Sequence, residues 1–415
     1  MAGKKKTEKR PRRQRRIRND KISAKQVSFS VLKRKAQVKR IGSYIRKIVI
    51  RLILCLLAFL IILFIYQNRY DLSYNGMVQW VHDSIAKTGN GDGYPLAVSG
   101  SRTLQFEEFN GTVLTLSNTS LIAYNPSGKR AAERLHGFNA PVVSTGDKRL
   151  LIYDMGGKAY KIESISETIY KGSAENRIIV ADMGENGAYA IAAKEEQSFA
   201  SVTLYQSDNT QVLKWASTEY QVVDVAVSPN GKSVAVAGIK AKNGDICSVV
   251  KVFKQDKKTA VASYEIEGCM YMALEYLSAD NLAVVGDTGV TVMKVGDNTA
   301  SNYSYGGRHL ACYDISYNDG AALALSKYSD RRNCTLFIIG KNGLKISEKD
   351  ANIDALDVKF RGKYIYVTTD GKLYSYKTNG TLFNSYDAGA GSKRVAVNGH
   401  YAYISGLSSI RRIEL

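Results

Sequence analysis

The sequence is poor in the residues on which catalysis and metal binding usually rest. It has 4 histidines, 5 cysteines, 2 tryptophans and 5 prolines in 415 residues. His82, His136, His309 and His400 are scattered, and no HExxH, GxSxG or phosphate-loop spacing occurs. The common zinc-hydrolase, serine-hydrolase and nucleotide-binding signatures are therefore missing, and no cofactor or metal is expected. Cys55 lies in an apolar run, while Cys247, Cys269, Cys312 and Cys334 have neither zinc-site spacing nor a neighbouring histidine. Four such cysteines allow three pairings, and the reading here prefers buried free thiols to disulfides.

Acidic residues are almost missing from one end of the chain. Residues 1–51 contain 20 of the 58 Lys and Arg but only Glu8 and Asp20 of the 38 acids, which leaves 38 basic against 36 acidic residues beyond. The net charge of +20 is therefore a property of the tail. Without aromatics interleaved among the basic residues beyond Phe29 and Tyr44, nucleic acid is the disfavoured partner for it. Blocks of like charge with few large apolar residues predict a disordered stretch over 1–47.

Only one long apolar run is present, Ile48–Tyr66 (IVIRLILCLLAFLIILFIY), uncharged from Leu52 onward. As a helix it would extend roughly 28 Å, close to a bilayer's hydrocarbon thickness. A basic flank before a first membrane helix stays in the cytoplasm, so the expectation is a single-pass signal-anchor in the cell membrane, with residues 67–415 outside the cytoplasm. Lys33, Arg34, Lys35, Lys39, Arg40, Arg46, Lys47 and Arg51 then form a membrane-lipid contact, each cation near an anionic surface contributing about 1 kcal/mol. Next, Asp71–Lys87 reads as a short amphipathic stalk helix carrying Trp80, and Thr88–Tyr94 (TGNGDGY) as a linker, together spanning 67–94.

From 95 to 415 no stretch sustains a helical period. What recurs is a hairpin, clearest in Val222–Ser228, Pro229–Lys232, Ser233–Gly238, where Asn-Gly favours the positive φ of a tight turn. The residues preceding equivalent turns are Phe109, Ser144, Met183, Ser228, Leu277, Tyr317, Phe360 and Val397, spaced 35 to 49 apart. Such a period with three or four short strands per unit predicts an all-β fold, a β-propeller of eight blades, or seven if the first copy is only partly formed. The last copy has room for three strands, so Leu96–Ser99 is expected to supply the fourth by pairing with Ile410–Glu414 and removing a bare sheet edge.

The run VAVSPNGKSVAV at 225–236 resembles the inner hairpin of Trp-Asp-repeat and quinoprotein-like propellers. The whole layout of basic tail, single anchor and propeller resembles an uncharacterised family, a domain of unknown function, of membrane-anchored propellers from Gram-positive bacteria. That resemblance brings no catalytic residue with it. Quinone-cofactor propellers stack tryptophans on every blade, whereas this domain has only Trp215.

Asp224, Asp314 and Asp357 stand on predicted innermost strands and are candidates to ring one end of the channel; the plainer reading ties turns together. Tyr303, Tyr305 and Tyr313 are the candidate aromatic cluster for a glycan or peptide. The leading expectation is a non-enzymatic binding or assembly scaffold at the cell envelope, with a protein or cell-envelope glycan partner outside. The alternatives are an envelope enzyme acting on glycans through loop carboxylates, and signalling across the membrane through the basic tail.

Overall fold

The computed structural model describes residues 44, 46–62, 74–98 and 103–415, which divide into two compact units, 1–74 and 75–415. In the first unit residues 46–62 form helix α1, with Arg46, Lys47 and Arg51 exposed along it. Among the described residues no helix is long and apolar enough to cross a membrane. The end of the predicted span, 63–66, lies outside the described residues, as do Lys33, Arg34, Lys35, Lys39 and Arg40.

The second unit is built from eight four-stranded antiparallel sheets closed into a propeller. Blades 1 to 7 cover 103–135, 141–173, 178–217, 221–267, 271–304, 309–353 and 357–389, each with its strands in chain order from the axis outward. Blade 8 takes three strands from 394–414 and its fourth from the other end of the chain. Strand β1 (Leu96–Ala97) pairs with the last strand, Ser409–Glu414, in the register Leu96↔Ile410 and Ala97↔Ser409. Val98 N–H continues the ladder to the Ser408 carbonyl at 2.8 Å. Closure therefore happens where the three-strand deficit predicted it, while Ser99 lies outside the described residues.

Period-two alternation sends side chains to opposite faces of a sheet, and here both faces are buried. In blade 4, Val225, Val227, Val234 and Val236 pack toward blade 3, while Ala226, Ala235 and Ala237 pack toward blade 5. Second strands such as Leu150–Asp154 and Gly320–Ser326 are buried at every position, and fourth strands such as Thr299–Ser304 are largely exposed. The core is thus eight apolar seams, one between each pair of neighbouring blades; the seam of Phe106, Val113 and Tyr124 with Ala396, Tyr403 and Ile410 joins blade 1 to blade 8. Cys247, Cys269 and Cys334 are buried, Cys312 is half-buried, and all four are free thiols.

The two Asn-Gly turns of blades 1 and 4 differ in geometry. Asn110 and Gly111 both take positive φ (46° and 79°), as a two-residue hairpin turn requires. In Pro229–Lys232 only Gly231 does (68°), because the loop is longer: Gly231 N–H reaches the Ser228 carbonyl at 2.7 Å and the strands rejoin through Ser228 N–H to the Ser233 carbonyl.

Helix α2, Tyr74–Lys87, falls within the predicted stalk, and the stretch after it is pinned rather than free. Asn125 donates from Nδ2 to the carbonyls of Lys87 and Gly89, both at 2.9 Å, and Gly93 N–H reaches the Ser127 carbonyl. A Cβ on Gly91 would lie 2.2 Å from the Lys129 nitrogen, so the close approach needs glycine.

Deleting residues 95–98 from the full chain removes three backbone pairings and bares the edge of Ser409–Glu414. The expected loss is on the order of 3 kcal/mol, read as a lower denaturant midpoint together with faster amide exchange at Ser409 and Ile410. An unchanged midpoint would mean that the seams alone close the ring.

Candidate functional site

An inner strand of a propeller has one ladder edge facing the axis, so some of its N–H groups need another acceptor. Side chains from the preceding blade supply it at six joints. Gln105 accepts from Val143 N–H at 2.7 Å and donates back to its carbonyl; Ser144 Oγ accepts from Met183 N–H at 2.9 Å. Asp182 accepts from Val227, Asp224 from Leu274, Asp314 from Phe360 and Asp357 from Val395, all between 2.8 and 2.9 Å. Asp224, Asp314 and Asp357 are therefore on innermost strands, as expected, yet each is a separate latch between blades and they do not gather into one constellation. Asp182, their equivalent, escaped the sequence reading because it sits next to its turn rather than three or four residues before it.

Three of these latches, Ser144, Asp182 and Asp314, border a cavity of about 710 Å³ on the axis. Its wall carries Glu107, Glu108, Asp147, Asp182, Glu185, Glu275 and Asp314 against only Lys359 and Arg361. The two sides of the ring hold opposite charge states. Between blades 6 and 7, burial pushes the Asp314 carboxyl up, but Lys359 (2.9 Å) and Arg361 (3.0 Å) outweigh it and hold the group below the usual carboxylate value. Lys359 is held above its ordinary value: burial opposes its charge, and Asp314 with Asp357 prevails. On the other side burial, followed by the charge of Asp182, raises Asp224 to about 7. Burial and then the charges of Asp182 and Asp224 push Glu275 well up, and burial alone raises Asp182. Burial, then the charges of Asp147 and Asp182, raises Glu185.

Carboxyls with raised pKa can act as general acids, but two of these, the aspartates, are occupied by hydrogen bonds. Asp182 accepts from both Ser144 and Val227, and Asp224 accepts from Val225 and Leu274. Among the described residues no group of three or more His, Cys, Asp or Glu is placed to hold a metal ion. The tyrosine cluster is not a shared surface: Tyr305 is fully buried with its hydroxyl on the Gly286 carbonyl, and Tyr303 packs on Phe337 with its hydroxyl on Gly343.

Antiparallel order puts the second-to-third-strand turns and the links between blades at one end of the ring, and the remaining turns at the other. The first of these ends collects exposed apolar side chains: Met155, Phe199, Met270, Tyr328, Leu356 and Leu407, with Leu135 and Ile246 at adjoining strand ends. Leu407 is 74% exposed. A second cavity of about 670 Å³ opens there between Leu356 and Leu407, flanked by Lys393 and Arg394. None of these positions stood out in the sequence, since a lone apolar residue in a loop carries no period.

The raised carboxyls give the fold a pH dependence whose sign is fixed. The folded chain holds protons up to about pH 7 at Asp224, whereas unfolded carboxyls release theirs near 4. Stability should therefore rise as pH falls from about 7.5 toward 5, read as a higher unfolding midpoint; Asp224→Asn should flatten the rise, and an equal or lower midpoint at pH 5 would refute the assignment. Asp314 has the opposite sign, its contribution being lost only as pH drops through its lowered value. Asp314→Asn should cost roughly 3–5 kcal/mol by leaving Lys359 buried without its nearest anion, and Lys359→Met in the same chain should recover part of the loss.

No curated protein matches the chain. Among solved structures it is similar to Sqt1 of Saccharomyces cerevisiae, with a TM-score of 0.56 and 9% identity over 79% of this chain and 100% of that one. It is equally similar to the C-terminal WD40 domain of Sif2, with a TM-score of 0.56 and 10% identity over 78% of this chain and 99% of the other. BamB from Moraxella catarrhalis follows at a TM-score of 0.49 and 11% identity over 78% of this chain and 100% of that one. Identities this low carry the fold alone, the WD40-like propeller already described. Residues 87–415 match a family of unknown function, DUF5711, and the chain belongs to that family.

Proposed function

We propose that the protein is a non-enzymatic scaffold, anchored in the cell membrane through residues 48–66, whose propeller binds a protein partner outside the cytoplasm. The observation that carries this reading is the apolar end of the ring. Monomeric proteins seldom leave many large apolar side chains exposed at one site without a use for them. Eight such side chains stand at this end, and Leu356 and Leu407 face a cavity edged by Lys393 and Arg394. Apolar anchors inside a charged rim are the anatomy of a protein interface. The rim is mixed in charge, with Asp357 and Asp370 beside Lys393 and Arg394, so it suits a partner segment that is apolar with polar flanks of either sign.

A glycan partner is less well supported, because Tyr303 and Tyr305 are absorbed into the seam between blades 5 and 6, which leaves only Tyr313 of the aromatic cluster exposed. An envelope glycosidase needs one free carboxyl acid opposite a free carboxylate, and the inner-ring aspartates are bound to backbone. The anchoring part of the reading rests on the apolar run and on the basic tail before it, and the Gram-positive envelope on the resemblance in layout.

A photo-crosslinking residue placed at Leu356 or Leu407 of the full chain in its native membranes should form a protein adduct, and one at Leu344, on the opposite end, should not. Phe199→Asp with Leu407→Asp should abolish the adduct with an unchanged melting temperature, as exposed sites allow. Adducts that form equally from Leu344, or that survive both aspartates, would remove this face as the docking surface. Protease added to intact spheroplasts should digest the propeller; its survival while the tail is clipped would reverse the orientation.

A further inference from the structure

Helix α2 is turned inside out relative to an ordinary surface helix. Amphipathic helices bury the apolar stripe and expose the polar one. In α2 the buried positions are Gln79 and Asp83, with exposures of 8% and 4%. Asp83 Oδ1 accepts from Ser164 Oγ at 3.0 Å, from Ser166 N–H at 2.8 Å and from Ser166 Oγ at 2.5 Å. Gln79 Oε1 accepts from Arg149, and Lys87 Nζ donates to the Asn110 carbonyl and side chain. Residues 79, 83 and 87 follow one another at four-residue spacing, so a single polar stripe fastens the helix to blades 1 and 2. The opposite stripe, Met77, Trp80, Val81 and Ile85, is exposed, Trp80 at 64%. The one carboxylate of the helix, Asp83, faces the propeller, so the outer stripe presents no negative charge.

We propose that this stripe lies in the headgroup region of the lipid bilayer and that α2 is an interfacial helix setting the propeller on the membrane surface. The inference rests on residues 48–66 being the membrane anchor. Two observations choose lipid over a protein as the cover. Only residues 67–73 separate the apolar run from α2, a length that extends under about 30 Å even when fully stretched, so an anchored chain cannot carry α2 far from the surface. The stripe is also small: 14 residues of helix are about 21 Å long, and four side chains along them present a few hundred Å². A specific protein interface buries about 800 Å² per partner. A tryptophan beside aliphatic side chains on a helix without exposed acid is what the bilayer interface accommodates.

The full chain is reconstituted into phosphatidylcholine–phosphatidylglycerol vesicles with either plain or brominated acyl chains. Trp215→Phe leaves Trp80 as the only tryptophan; should that variant fold poorly, the difference between wild type and Trp80→Phe isolates the same signal. Co-flotation with the vesicles tests the anchor by itself. The expected result is co-flotation with roughly twofold or greater quenching of Trp80 by the brominated lipid and weak quenching by aqueous acrylamide, as for an interfacial indole. Co-flotation with Trp80 quenched by acrylamide and untouched by bromine overturns the interfacial helix and leaves the anchor standing. Trp80 shielded from both quenchers means a protein covers it, which also overturns the proposal. Failure to float removes the anchor, and this inference with it.

Discussion

A four-stranded sheet that is apolar on both faces cannot exist alone in water, and every other feature of this propeller follows from that constraint. Blade 4 shows the consequence most plainly, with Val225, Val227, Val234 and Val236 on the side toward blade 3 and Ala226, Ala235, Ala237, Val250 and Val252 on the side toward blade 5. Each blade needs two neighbours, so a linear array would leave two unburied faces at its ends, and a ring leaves none. Closing the ring requires joining 394–414 to 95–98, and β1 supplies the join with only two ladder residues. So short a strand suffices because the seam of blade 8 against blade 1 carries the apolar burial, including Tyr94 over Tyr403 at 5.4 Å.

The inner ring solves a second problem created by the first. Bringing eight inner strands around one axis crowds backbone N–H groups where no ninth strand can pair with them. Asp182, Asp224, Asp314 and Asp357 accept those groups across the joints, and Asp182 and Asp314 thereby stand in the wall of the acidic cavity. Lys359 and Arg361 pair with Asp314 on the blade 6–7 side, while on the blade 3–5 side burial holds Asp182, Asp224 and Glu275 above the usual carboxylate values. Backbone satisfaction thus accounts for two of the acids in the cavity wall, Asp182 and Asp314.

What the sequence made legible follows burial. Second strands, apolar on both sides, stood out as runs such as Val234–Ala237; third strands followed. Outer strands such as Arg130–Leu135 and Thr299–Ser304 touch the core at few positions and carry no apolar period, so they were hard to see even though all are present. The blade count and the closing strand were readable because they depend on spacing and on a missing fourth strand. Roles were not: Asp224 and Asp357 were visible as inner-strand acids, but a latch to the next blade is a contact between residues some 40 positions apart. Glu275 and Lys359 became channel residues only once the ring brought them together. In α2 the apolar spacing gave a helix but not its orientation, which depends on Asp83 finding three donors on blade 2.

The two ends of the ring are chemically distinct, and the distinction has a structural origin. At the end bearing the first-to-second-strand turns, short loops rich in Asn, Asp and Gly close tight hairpins, leave the acidic cavity open and receive α2 on hydrogen bonds. At the opposite end the links between blades, free of hairpin geometry, carry Met270 and Leu356 outward, and the second-to-third-strand turns carry Phe199 and Leu407. Loops tolerate such residues only where their exposure is matched by use or by little cost to the fold. A fold that fixes its polar residues at the joints and its apolar residues in the seams is left with this one end on which recognition can vary independently of stability.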